Sequence, residues 1–188
     1  GFEEWAAYDK VFTLAAERNI SILPLIYGKA ESTYSSANEH RFLTEAEYGQ
    51  GSPWETWINE VVERYGIIGV FWEKHPALPY KPVKVWEVWN EPNLKPNNPL
   101  LCKKEKEKEI CEEKVQPENY ARFLKQTNLL IQKAQNKRGA GAEVLLGGLY
   151  SRGGMSVPEF LEKVHNVPES GNSFSGLSLH PYSFRDGP

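Results

Sequence analysis

The chain has 188 residues, 40% hydrophobic and 25% charged, with no apolar run approaching the roughly eighteen residues of a membrane-spanning helix, so it reads as a soluble globular protein. Its 22 Lys and Arg against 25 Asp and Glu leave a formal charge of −3 without a long block of one sign, which argues against a basic nucleic-acid scaffold. Six Trp and nine Tyr call for either a substantial core or a surface that stacks on flat ligands.

Residues 3–19 place Trp5, Tyr8, Phe12, Ala15 and Ala16 at spacings of three and four, the pattern of one apolar helix face. Residues 20–26 (ISILPLI) predict a strand buried on both faces and closed at Gly28, with Pro24 arguing for an edge or a local break. A polar loop follows. Ser52 and Pro53 then form a helix start, and Trp57, Val61, Val62 and Tyr65 continue at helical spacing to Gly66. After a proline-bearing loop at 75–82, residues 83–89 (VKVWEVW) are the strongest strand by branched and aromatic content, stopping at Asn90-Glu91-Pro92.

A charged insertion spans about 94–116, with Lys and Glu alternating over 103–113, and reads as a solvated surface excursion. Cys102 and Cys111 bracket it. They predict a local disulfide, with free thiols as the alternative, and no second pair supplies the four ligands of a structural zinc site. A disulfide favours an extracellular or periplasmic location. Gly1-Phe2-Glu3-Glu4 is acidic where a secretory signal begins basic, so the chain is expected to be mature or truncated. A helix over 117–137 buries Tyr120, Phe123, Leu124, Leu130, Ile131 and Ala134 and ends at Gly139. A strand at 143–149 (EVLLGGL), a short helix at 157–165 opened by Ser156, and a strand at 175–180 complete the pattern.

Strict helix and strand alternation predicts a parallel sheet, because parallel neighbours need a crossover long enough to hold a helix. Neither G-x-G-x-x-G nor G-x-x-x-x-G-K-[ST] follows any strand, so a barrel is favoured over an open nucleotide-binding sheet. A complete (β/α)8 TIM barrel takes eight strands and roughly 250 residues. Only four strands are recognisable. The fold class expected is therefore α/β, a partial (β/α)8 barrel over 1–188, with the remainder supplied as further sequence or another chain.

In such sheets functional groups gather at the carboxyl ends of the strands. That rule selects Tyr27, Asn90, Glu91, Tyr150, His180 and Tyr182. Glu91 follows an aromatic run and precedes Pro92, and Trp72, Trp86 and Trp89 are expected to limit its hydration. A carboxyl kept from water favours its protonated form, which can donate to a leaving group. A structural partner of an Arg or a backbone amide is the competing reading. Asn90 could orient a hydroxyl or close the turn, and Trp89 could stack on a sugar or fill the core. Tyr27 is a substrate-contact candidate by position alone. Trp54 and Trp57 are read as core residues, and Glu87 as a buried structural acid. His40, His75 and His165 lack companions at ligand spacing, so neither a metal nor a cofactor is expected. The nucleophile-elbow pattern G-x-S-x-G is absent.

The segment Tyr80-Lys81-Pro82-Val83-Lys84-Val85-Trp86-Glu87-Val88-Trp89-Asn90-Glu91-Pro92-Asn93 resembles the fourth-strand signature of the large clan of retaining (β/α)8 glycoside hydrolases, which includes cellulases, β-galactosidases and β-xylosidases. Residues 66–79 (GIIGVFWEKHPALP) resemble the approach to that strand, and Leu179-His180-Pro181-Tyr182 resembles the sixth-strand motif. The resemblance runs from third strand to sixth. It implies a carbohydrate substrate, Glu91 as general acid/base, Asn90 bonding the sugar's 2-hydroxyl, His180 and Tyr182 supporting the centre, and Tyr182 close to the nucleophile. The nucleophile it implies, a Glu ending the seventh strand, would lie outside this chain, so the isolated chain is expected to be inactive. A carbohydrate-binding chain without catalysis is the alternative, and a scaffold that uses the charged insertion ranks third.

Overall fold

The computed structural model describes residues 5–27, 45–94, 102–105, 108–111, 115–136, 139, 141–151 and 154–182. In chain order the elements are α1 (Trp5–Glu17), β1 (Leu25–Ile26), α2 (Glu45–Tyr48), α3 (Pro53–Tyr65), α4 (Val70–Lys74), β2 (Val85–Val88), β3 (Cys102–Glu105), β4 (Lys108–Cys111), α5 (Pro117–Asn136), β5 (Glu143–Tyr150), α6 (Val157–His165) and β6 (Gly176–His180). The fold is mixed α/β. Four strands form one parallel sheet in the order β1-β2-β5-β6, while β3 and β4 form a separate antiparallel ribbon.

Parallel register assigns residues to faces. Ile26, Val88 and Leu146 align across β1, β2 and β5, and all three are buried under the helices. They join one apolar cluster with Phe12 and Ala16 of α1, Ile58, Val62 and Tyr65 of α3, Tyr120, Phe123 and Leu124 of α5, and Phe160 of α6. Leu25, Glu87 and Leu145 align on the opposite face, where Leu25 is exposed and Leu145 half-buried. The helices begin where side chains can satisfy their first amides: Ser52 Oγ accepts from Glu55 N–H at 3.1 Å, with Pro53 in the first turn, and Ser156 caps α6 in the same way. Trp54 is buried as a core residue, its indole N–H donating to Thr127 Oγ1 at 3.1 Å.

Several boundaries differ from expectation. The predicted strand at 20–26 is reduced to Leu25–Ile26, because Pro24 brings no amide; its carbonyl alone still accepts from Glu87 N–H at 3.1 Å. The predicted strand at 83–89 shortens at both ends: Val83 makes only an isolated bridge to Gly66, and Trp89 leaves the ladder at φ 74°. Helix α4 has no counterpart among the predicted elements, as five residues are too few to display a helical period. Within the insertion at 94–116, the described residues form the β3–β4 ribbon, whose register sets Cys102 opposite Cys111. Their sulfurs lie outside the described residues, as does Gly28.

Candidate functional site

The turn that follows β2 carries the candidate carboxylate in an unusual backbone. Trp89 (φ 74°) and Glu91 (φ 48°) both adopt left-handed conformations, which for residues with a Cβ cost on the order of 1 kcal/mol each or more. Neighbouring strands hold them there. Trp89 N–H donates to Ile26 O at 2.8 Å, Glu91 N–H to Gly148 O at 3.0 Å, and Leu94 N–H to Glu91 O at 3.0 Å. Asn93, fully buried, closes the turn: its amide donates to Tyr150 O and Met155 O at 2.8 and 2.9 Å, and its Oδ1 accepts from Tyr150 N–H at 2.9 Å.

The result is a carboxylate aimed at the end of β6. Glu91 Oε1 accepts from the Tyr182 hydroxyl at 2.9 Å and lies 3.0 Å from His180 Nδ1, which donates when that nitrogen bears its proton. The Glu91 side chain is 15% exposed and that of His180 27%. Acceptance by Glu91 favours the neutral phenol, so the Tyr182 hydroxyl is held above its ordinary pKa. The Tyr150 ring lies 5.3 Å from that of Tyr182, and Tyr150 is the register partner of His180.

Glycine makes this convergence possible. A Cβ on Gly148 would stand 2.1 Å from His180 Nε2, so the imidazole occupies the space that any side chain would need. A Cβ on Gly147 would stand 2.0 Å from Trp89 O. The two glycines sit at a register shift in β5 between Leu146 and Leu149. There the Gly147 amide donates to the Tyr120 hydroxyl at 2.9 Å, and Tyr120 in turn donates to Val88 O at 2.8 Å. Tyr120 is fully buried, and burial, with the nearby Glu87, keeps its hydroxyl neutral although the Gly147 amide favours the opposite.

Of the residues singled out from sequence, Glu91, His180 and Tyr182 meet, with Tyr150 beside them. Asn90 is exposed at the tip of the turn between Trp89 and Glu91. Tyr27 is half-buried, its ring 4.7 Å from that of Trp89. Trp89 itself needs correcting. It is 3% exposed and packs between Tyr27 and Phe123, so its ring is a core element here and offers no face to a sugar. The tryptophans expected to shield Glu91 are likewise engaged elsewhere, Trp72 against Phe12, Phe71 and Tyr80, and Trp86 in the buried cluster on the helix side of the sheet. Polar donors surround Glu91 instead. Gly148 and Asn93 were not selected from sequence, although a Gly-Gly pair inside a strand pattern is itself a sign of a bulge or a close backbone approach.

Among the described residues, no group of three or more His, Cys, Asp or Glu is arranged to hold a metal ion. His75, one residue past α4, has its Nδ1 2.7 Å from Phe71 O of that helix, and His40 is outside the described residues. No described helix is long and apolar enough to cross a membrane. Neither models of known protein families nor the curated proteins yield a match to this chain.

Proposed function

We propose that this chain is part of a (β/α)8-barrel glycoside hydrolase acting with retention on oligo- or polysaccharides, with Glu91 as its general acid/base. The observation that carries the reading is the meeting of Glu91 with His180 and Tyr182, 89 and 91 residues away in sequence, on a single carboxylate oxygen at the strand ends. Both donors occupy Oε1. Oε2 is left as the atom able to deliver a proton to a glycosidic oxygen and, after the sugar is transferred to the enzyme, to take one from water. Asn90, exposed beside it, is the residue placed to meet a sugar hydroxyl.

The second carboxylate of a retaining pair sits roughly 5 to 5.5 Å from the first and attacks the anomeric carbon. In this reading it comes from a part of the barrel beyond the strands described. Two features support a sheet that continues on both sides: β1 and β6 are edge strands, and both present exposed leucines, Leu23 and Leu25 at one edge and Leu177 and Leu179 at the other.

Calorimetric titration with plant and microbial oligosaccharides, run beside an aryl-glycoside turnover assay, tests the proposal. Saccharide binding is expected, and wherever turnover is measurable Glu91→Gln is expected to reduce it by roughly 10² to 10⁴ while leaving binding. Turnover indifferent to Glu91→Gln, or no saccharide bound at all, overturns it. Binding without turnover in the intact protein supports a carbohydrate-binding chain instead.

A further inference from the structure

Glu87 is the only buried carboxylate among the described residues, 7% exposed, and the acid/base reading gives it no part. It stands four residues before Glu91, on the sheet face away from the helices. Its Oε1 accepts from Gly148 N–H at 2.8 Å. Gly148 O accepts from Glu91 N–H at 3.0 Å. The side chain of one acidic residue is thus joined to the backbone of the other through a single glycine.

Resting on the reading of Glu91 given above, we propose that Glu87 is a positioning residue, which fixes the place of Glu91 by anchoring Gly148. The register shift in β5 is what permits this, since an amide within a regular ladder would be taken by a neighbouring strand, whereas Gly148 N–H turns to the carboxylate. The anchor lies beside a turn that is strained at Trp89 and Glu91, where a fixed neighbour is needed to hold the backbone. The same glycine carries the His180 ring, against which any Cβ would clash. Movement of Gly148 therefore displaces the Glu91 backbone and also the imidazole that reaches Glu91 Oε1. Tyr120 braces the adjoining Gly147 from the helix side.

Amide hydrogen exchange followed by NMR tests the link without relying on any enzyme activity. Glu87→Asp, one methylene shorter, withdraws the carboxyl group while keeping its chemistry. The Gly148 and Glu91 amides are then expected to exchange faster together, by roughly three- to tenfold, with the other β2 and β5 amides unchanged. Glu87→Gln keeps the length and an acceptor oxygen, and is expected to restore most of the protection. Should the shortened variant not fold, Glu87→Gln still reads the coupling, because the amide oxygen accepts more weakly and any acceleration at Gly148 must be matched at Glu91. Acceleration at Gly148 alone, or at neither amide in the folded Glu87→Asp protein, overturns the proposal. In the intact enzyme the same Asp variant is expected to lower kcat with KM held, and Gln to recover it. Coupled exchange alongside sugar turnover that ignores Glu91→Gln would sink the glycosidase reading and leave the positioning role standing.

Discussion

Asp9 and Glu91 each accept a tyrosine hydroxyl and a nitrogen donor, and the molecule uses the two sets oppositely. Asp9, on α1, is bound by Arg64 and Tyr65 of α3, with Arg64 Nε and the Tyr65 hydroxyl at 2.8 and 2.7 Å. Arg64 Nη2 completes a bidentate pair, and its guanidinium lies 5.4 Å from the centre of the Trp5 ring. That cation never releases its proton, so Asp9 is fixed as an anion that ties two helices together. Glu91 faces His180, an imidazole whose Nδ1 donates or accepts according to its tautomer, and its tyrosine partner is an exposed strand-end residue. The backbone differs as well, regular helix around Asp9 and left-handed turns around Glu91. One inventory of groups builds a clamp when the cation is permanent. With an imidazole as the nitrogen partner, it joins the ends of two strands, β2 and β6, at one rim of the sheet.

The contrast sharpens most where the strained turn is held. Asn93→Ala deletes three hydrogen bonds at a fully buried position and leaves the Tyr150 amide without its acceptor. A loss of about 2–4 kcal/mol in urea unfolding is expected, together with a change in the NMR signals of His180 and Tyr182. Stability falling without any change at those two residues would show that the turn does not organise the site. Next in size is Asp9→Asn, expected to cost about 1–2 kcal/mol, since the pair is only partly buried and solvent screens part of its attraction. The NMR signals of His180 and Tyr182 should be unaffected. If Asp9→Asn shifted them as Asn93→Ala is expected to, the division between clamp and site would fail.

Much of the architecture was readable from spacing and caps. Ser52 and Ser156 open their helices as predicted, and the four parallel strands fall at the segments predicted for them. Strand ends were less readable, because proline at position 24 and the left-handed turn at Trp89 shorten strands that hydropathy alone would extend. Strand-end position named Glu91, His180 and Tyr182, but it could not tell Trp89 the core residue from Trp89 the platform, since both uses require the same apolar ring at the same place. Gly148 is legible only in part. The Gly-Gly pair signals a bulge or a close approach, but what approaches, the His180 ring, comes from β6, 32 residues on, and shows only in the fold.

The smallest effect separates the two carboxylates by pH. Burial alone would raise Asp9, yet hydrogen bonds from Arg64 and Tyr65, with the charges of Arg64 and His75, hold its carboxyl below the ordinary 3.8. Because the folded value is the lower one, ionised Asp9 stabilises the fold above 3.8, and the contribution fades as pH falls through the folded value. The melting-temperature advantage of wild type over Asp9→Asn is therefore expected to be level from neutrality down to about pH 4 and to shrink below it. Tyr182 supplies the opposite limb. Its hydroxyl is raised by Glu91, so its contribution is present below the ordinary 10 and lost as pH climbs through the folded value. The wild-type advantage over Tyr182→Phe should then narrow only in alkali, and by less than the acid-side change, since the phenol stands in water. A wild-type advantage over Asp9→Asn that stays undiminished at about pH 2 would mean that Arg64 and Tyr65 do not hold Asp9 as an anion, and the clamp would lose its distinguishing mark.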